Sequence, residues 1–172
     1  MDSTTISASV SSQYLASLEM LKQTVSQCPE TIWNSPDDKV QFWHIAYHTL
    51  FFTHLYLQDT LQAFKPWPQH RKDMENLDSH PSASSPDGGP NMEQPYNKES
   101  ILEYLAFCQQ QVAEKVPGLN FEAESGFQWL PFNKLELQIY NIRHLQQHTG
   151  ELMERLGTRT GLELDWVGKK PA

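Results

Sequence analysis

Asn141–Leu152, NIRHLQQHTGEL, places His144 and His148 four residues apart in a stretch that reads as one continuous helix. At about 100° per residue, a step of four returns the second ring to within about 40° of the first and about 6 Å along the axis. Both imidazoles therefore address one face and can reach one ion. A second pair at the same spacing, His44 and His48, lies in QFWHIAYHTLFF. Each pair is flanked by apolar residues, and the two helices that carry them decide the fold.

Around the later pair, Asn133 followed by Glu136 resembles a capping arrangement, and Leu135 to Leu156 reads as the fourth helix, closed by Gly157 as a left-handed cap. Gly150 in its middle costs about 1 kcal/mol against alanine, which reads as a mark of close approach by another helix or a ligand. Around the earlier pair, Pro36, Asp37 and Asp38 supply helix-start chemistry, and the second helix runs to about Phe64. From Gln41 to Gln58 it has no Asp, Glu, Lys or Arg, yet its three histidines, two threonines and two glutamines make it too polar to span a membrane. The expectation is a helix buried on most sides.

Val10, Tyr14, Leu18, Leu21 and Val25 fall at helical intervals and define the first helix, which Pro29 stops near Cys28; residues 1–9 read as a mobile lead. The third helix is capped by Asn97 and runs through about Val116, with Ile101, Leu105, Cys108 and Val112 on one stripe. Between the second and third helices, residues 65–96 carry six prolines together with Gly88 and Gly89. This long loop reads as a mobile insertion ahead of a functional cover, with Trp67 and Tyr96 as anchors for its ends. The stretch LNFEAESGFQWLPF reads as an ordered loop rather than a hairpin, and in the tail, residues 157–172, Trp166 is expected to fold back on the domain. The whole is one all-α domain over 1–172: a four-helix bundle with a long connection between helices 2 and 3.

Composition supports this and narrows the function. The chain has 172 residues, 38% of them hydrophobic, with 5 Trp, 6 Tyr and 8 Phe, enough for a substantial core and for one domain rather than two. A formal charge of -8 and the lack of any Lys/Arg cluster disfavour binding to nucleic acid or anionic lipid. MDSTTISASV has no apolar run of the length a secretory signal needs, so a cytoplasmic address is the expectation. Cys28 and Cys108, 80 residues apart in apolar helical patterns, suit buried free thiols.

Metal sites in bundles are often made by side chains pointing inward from facing helices. Neutral imidazoles suit zinc, nickel, copper or iron, and three protein ligands with an open position suit a catalytic zinc. Of the four candidates, His144 and His148 are unambiguous, while spacing alone leaves the third ligand open between His44 and His48. A lone histidine on an apolar face is usually a hydrogen-bonded core residue, but two pairs on separate helices make coincidence the poorer account. His54, His70 and His80 lack the geometry and read as surface or loop residues. The residues between His144 and His148 are Leu145, Gln146 and Gln147, so the HExxH arrangement of zincin proteases is lacking. Glu151 returns to within about 20° of the histidine face and is the one nearby carboxylate able to hold a water or a ligand's ring N–H. Its other reading is an ordinary solvated helix charge.

HLQQHTGEL resembles the last-helix motif of the DinB-like superfamily, the metal-binding four-helix proteins that include the YfiT-like proteins and the mycothiol- and bacillithiol-dependent enzymes; WHIAYHTLFFTHLYL resembles its second-helix motif. The likeness covers the helical framework, roughly Val10 to Leu156, with specific matches confined to these two motifs. It implies a divalent metal, commonly zinc or nickel, held by one histidine of the second helix and two of the last. His144 and His148 carry over directly. The Tyr-His-Thr-Leu-Phe run favours His48 as the third, with His44 as the alternative or a neighbouring ligand. The long 65–96 loop departs from shorter members and leaves the substrate open.

Three functions follow as expectations. The resemblance implies an enzyme, either a thiol S-transferase in which the metal activates a low-molecular-weight thiol, or a metal-assisted hydrolase in which Glu151 assists a water. The second is a non-catalytic metal-binding stress or interaction protein, whose grooves would bind another protein or, as a possible homodimer, its own copy. The third is a metal-free bundle with hydrogen-bonded histidines.

Overall fold

The computed structural model describes residues 2–77 and 94–171, and the regular elements among them are helical. They are α1 (Ser3–Gln27), α2 (Glu30–Trp33), α3 (Phe42–Tyr56), α4 (Lys98–Lys115) and α5 (Lys134–Thr160), with single 3-10 turns at Leu61–Ala63 and Val116–Gly118. No helix among the described residues is long and apolar enough to cross a membrane.

Several ends differ from the sequence expectation, each for a local reason. α1 begins at Ser3, so residues 3–9, expected as a mobile lead, form its first turns. Asp2 caps it by accepting from the Thr5 N–H at 2.7 Å, and the buried Ser7 hydroxyl donates to the Val116 carbonyl at 3.2 Å. The connector after Pro29 contains the one-turn α2, whose buried Trp33 donates its indole N–H to the Tyr96 carbonyl. α3 starts at Phe42 rather than beside Asp37 and Asp38. The Asp38 carboxylate is instead engaged by Arg155 and Arg159 of α5, a long-range ion pair that local propensity cannot reveal. α3 also stops at Tyr56, short of Phe64. The buried Lys134 ammonium donates to the Gln58 and Asp59 carbonyls just beyond its end. α5 runs past Gly157 to Gly161, the residue that takes the left-handed conformation (φ 74°) and donates to the Gly157 carbonyl. A Cβ at Gly150 would meet nothing within 4 Å, so that glycine marks no close approach. Asn97 and Asn133 cap α4 and α5 as expected.

α1 packs on α4 and α5, and α3 packs on the same two helices, so the four longer helices close a ring with the core inside it. α3 is buried along its whole length except at His48 and Phe52. Its broadest contact is with α5. The described parts of the α3–α4 connection lie against this framework. Trp67 stacks on Tyr104 at 4.5 Å, Tyr96 stacks on Tyr47 at 4.7 Å, and Met74 is fully buried. Residues 78–93, which include most of the proline-rich insertion and His80, lie outside the described residues.

The loop before α5 is ordered, as expected, and carries one antiparallel bridge between Glu124 and Asn133. Gly126 at its bend has φ 84°, and a Cβ there would fall 1.9 Å from the Asp59 carbonyl oxygen. The tail returns to α1 through Lys170 on Glu19 and through Gln13, which donates to the Gly168 carbonyl. Trp166, expected to fold back, instead remains 75% exposed, because those polar contacts, and not its ring, fasten the segment.

Candidate metal centre

α3 and α5 are complementary in what they leave uncovered. Sealed elsewhere, α3 presents His48 and Phe52 toward α5, and the i, i+4 spacing on α5 brings His144 and His148 to meet them. Ring centroids are 5.1 Å apart for His48 and His144, 4.9 Å for His48 and His148, and 4.7 Å for His144 and His148. One nitrogen from each ring lies within 4.8 Å of the other two, a grouping that could hold a metal ion. Phe52 lies against His48 and His144 at 4.8 and 5.6 Å and walls one side.

The outward nitrogens fix the tautomers. His48 Nδ1 lies 2.6 Å from the Glu75 carbonyl oxygen, which can only accept, so the ring proton is on Nδ1 and Nε2 presents a lone pair. His148 Nδ1 lies 3.0 Å from a Glu151 carboxylate oxygen, so in the neutral ring the proton is on Nδ1 and Nε2 is bare. Glu151 is itself held by Arg155 at 3.4 Å, and Arg155 is anchored to the Val40 carbonyl and Asp38. His144 Nε2 lies 3.2 Å from His48 Nε2, while its Nδ1 is buried without a partner among the described residues.

Two inward lone pairs thus converge with at most one N–H, that of His144, to meet them. Protonation of His48 or His144 does not correct this imbalance. Burial, followed by the neighbouring rings, drives His48 down to about 3 and His144 down to about 4, with only the Glu75 carbonyl pulling His48 back up. Two nitrogens bound to one tetrahedral zinc at about 2.0–2.1 Å stand about 3.3 Å apart, close to the observed Nε2 separation. The donor set fits a borderline divalent ion.

His44 does not join the cluster. Its Nε2–H donates to the Met74 carbonyl at 2.9 Å, and burial lowers its pKa. His70 meets the Tyr47 hydroxyl at 2.6 Å and stacks on that ring. His54, expected at the surface or in a loop, is buried in the core among Phe64, Tyr104 and Phe107. Burial, with Lys115 second, pushes it down to about 4. Both cysteines are buried and free, and burial raises Cys28 to about 12 and Cys108 well above its ordinary value, so neither is a nucleophile. The Glu75 carbonyl, Arg155 and Asp38, which orient the rings or their partners, were invisible to sequence reasoning. A carbonyl carries no residue signature, and Asp38 reads locally as a helix-start acid.

No family model, curated protein or solved structure matches the chain.

Proposed function

We propose that the chain is a divalent-metal enzyme of the DinB-like superfamily. In this reading α1, α3, α4 and α5 form the superfamily's four-helix bundle, with the α3–α4 connection as an elaboration, and His48, His144 and His148 hold zinc or nickel. The observation that carries the proposal is the convergence of three imidazoles, two with bare inward nitrogens fixed by outward hydrogen bonds. A three-ligand ion keeps a position for an exogenous group and lowers the pKa of a thiol or water there. The chain's own residues hold that geometry: the Glu75 carbonyl and the Glu151 carboxylate orient His48 and His148, and Phe52 supplies an apolar wall. Glu151, spent on His148, acts in this reading as an orienting group, with 43% of its side chain exposed to solvent. Thiol S-transfer and hydrolysis are the reactions such a site supports.

The test is elemental analysis of untagged protein, followed by a panel of thiols, electrophiles and esters with wild type and His148→Ala. One equivalent of zinc or nickel, with turnover lost in the variant, is the expected result. Protein that binds neither ion overturns the proposal. The interaction-protein reading is favoured by one separate feature, the groove of about 500 Å³ between α1 and α5 beside the exposed Ile139 and Trp166. Metal uptake without turnover, together with concentration-dependent self-association, would select it.

A further inference from the structure

The segment that clasps α3 through His44, Tyr47 and His48 carries a second unsatisfied group. Arg71 sits with its guanidinium carbon 3.9 Å above the centre of the Tyr96 ring. That ring is fixed in turn by its stacking on Tyr47 and by its hydroxyl, which donates to the Gln69 carbonyl at 2.6 Å. Arg71 Nη1 donates to the Gln94 carbonyl. The plane and one corner of the guanidinium are therefore held. The remaining edge, Nε and Nη2, is shielded from solvent and has no hydrogen-bond partner among the described residues. An aromatic face satisfies the cation's charge but accepts none of its in-plane N–H groups, so these donors carry the cost of buried unpaired polar atoms.

Nε and Nη2 form the side edge of the fork that receives two oxygens of a planar anion. We propose that this edge is a binding site for the carboxylate of a small molecule. A carboxylate matches the fork in shape and brings one negative charge. Glu75, four residues on, has a buried carboxylate oxygen that likewise has no hydrogen-bond partner among the described residues, and any repulsion it exerts falls on every anion, more on a phosphate dianion than on a carboxylate. The site goes beyond the metal reading, since no ion takes part in it, yet the two are physically linked. Residues 70–75 carry Arg71 at one end and, at the other, the Glu75 carbonyl that orients His48. Arg71 as a whole is only half-buried, while Nε and Nη2 themselves are covered, so a ligand must displace what covers them.

The test is a titration of the full chain with acetate, with acetamide as the neutral isostere and inorganic phosphate as the competing anion. It is followed through the Arg71 Nε–H resonance in wild type and by calorimetry in wild type, Arg71→Lys and Arg71→Gln, each with and without zinc. A saturable acetate-dependent shift of that resonance, no response to acetamide, a weaker one to phosphate, and affinity lower by about tenfold or more in both variants are expected. Lysine keeps the charge but loses the fork, so its failure to bind distinguishes bidentate recognition from general attraction. The proposal is overturned if the wild-type resonance does not respond, or if acetate binds only with zinc and equally well in Arg71→Gln. Both readouts exist without metal, so a chain that fails to take up zinc would sink the metal reading and leave this one standing.

Discussion

Lys134, buried, and the histidine triad, half-buried, are two polar clusters along the same α3–α5 seam, and they differ in whether their hydrogen bonds close. The Lys134 ammonium has three donors and meets three carbonyls, those of Ser125, Asp59 and Gln58, at 2.6, 2.9 and 3.3 Å. It ties the end of α3, the loop around Gly126 and the start of α5 into one knot. The triad does the opposite, since its inward acceptors outnumber its donors and its outward bonds enforce that surplus. A buried charge matched one for one holds a fold together. A buried surplus of lone pairs asks for a cation.

The largest expected effect falls on the closed knot. Lys134→Met leaves three carbonyls without their charged donor and should cost about 3 kcal/mol in chemical denaturation; a loss under about 1 kcal/mol would erase the contrast from that side. The triad should respond to ions where the knot does not. Zinc at about one hundred times its dissociation constant should stabilise wild type by about 2.7 kcal/mol. His148→Ala should abolish that gain while leaving metal-free stability within about 1 kcal/mol, and thermal melts with and without chelator read both quantities. If zinc raises the melting temperature of His148→Ala as much as that of wild type, the ion is bound elsewhere.

Acid probes a third kind of buried group, one set among aromatic rings with the Tyr104 hydroxyl 3.3 Å from its Nδ1. His54 titrates lower in the fold than in the unfolded chain, so the unfolded state binds the extra proton. The stability it contributes is complete above about pH 6.5 and is lost as the pH falls toward 4. The loss should reach about 2 kcal/mol by pH 5, and a pH series of denaturation curves should be shallower by that amount in His54→Leu. An unchanged slope would place His54 in water. The smallest effect should be a gain. Nothing crowds Gly150, so Gly150→Ala should add about 1 kcal/mol without altering zinc uptake, and a loss of stability would mean that a neighbour approaches after all.

What the sequence made legible follows the range of the interactions involved. The His144 and His148 pair was readable because four residues on a helix fix a face without help from the rest of the chain. The buried character of α3 was readable from its lack of charge. The choice between His44 and His48 was not a matter of spacing. It depends on which of two rings, both clasped by carbonyls of residues 74 and 75, also faces α5. The same limit governed the helix ends. Asp38 was read as a local helix-start acid because its partners Arg155 and Arg159 lie more than a hundred residues away. Gly157 and Gly161 carry the same local signal, and the helix takes the later one as its left-handed end. Lys134 and Arg71 gave no warning, since a lysine or arginine beside a loop is ordinarily solvated.

The proton that the Glu75 carbonyl fixes on His48 Nδ1 has a calorimetric consequence. His48 and His144 are neutral at pH 7, and the lone pair of His48 already faces the cluster. An ion arriving there displaces essentially no proton from either ring, unlike one captured by thiolates or by histidines that must first deprotonate. The proton count of zinc or nickel uptake at pH 7, read as the dependence of its heat on buffer ionisation enthalpy once each buffer's own affinity for the ion is subtracted, should therefore contain no contribution from these two rings.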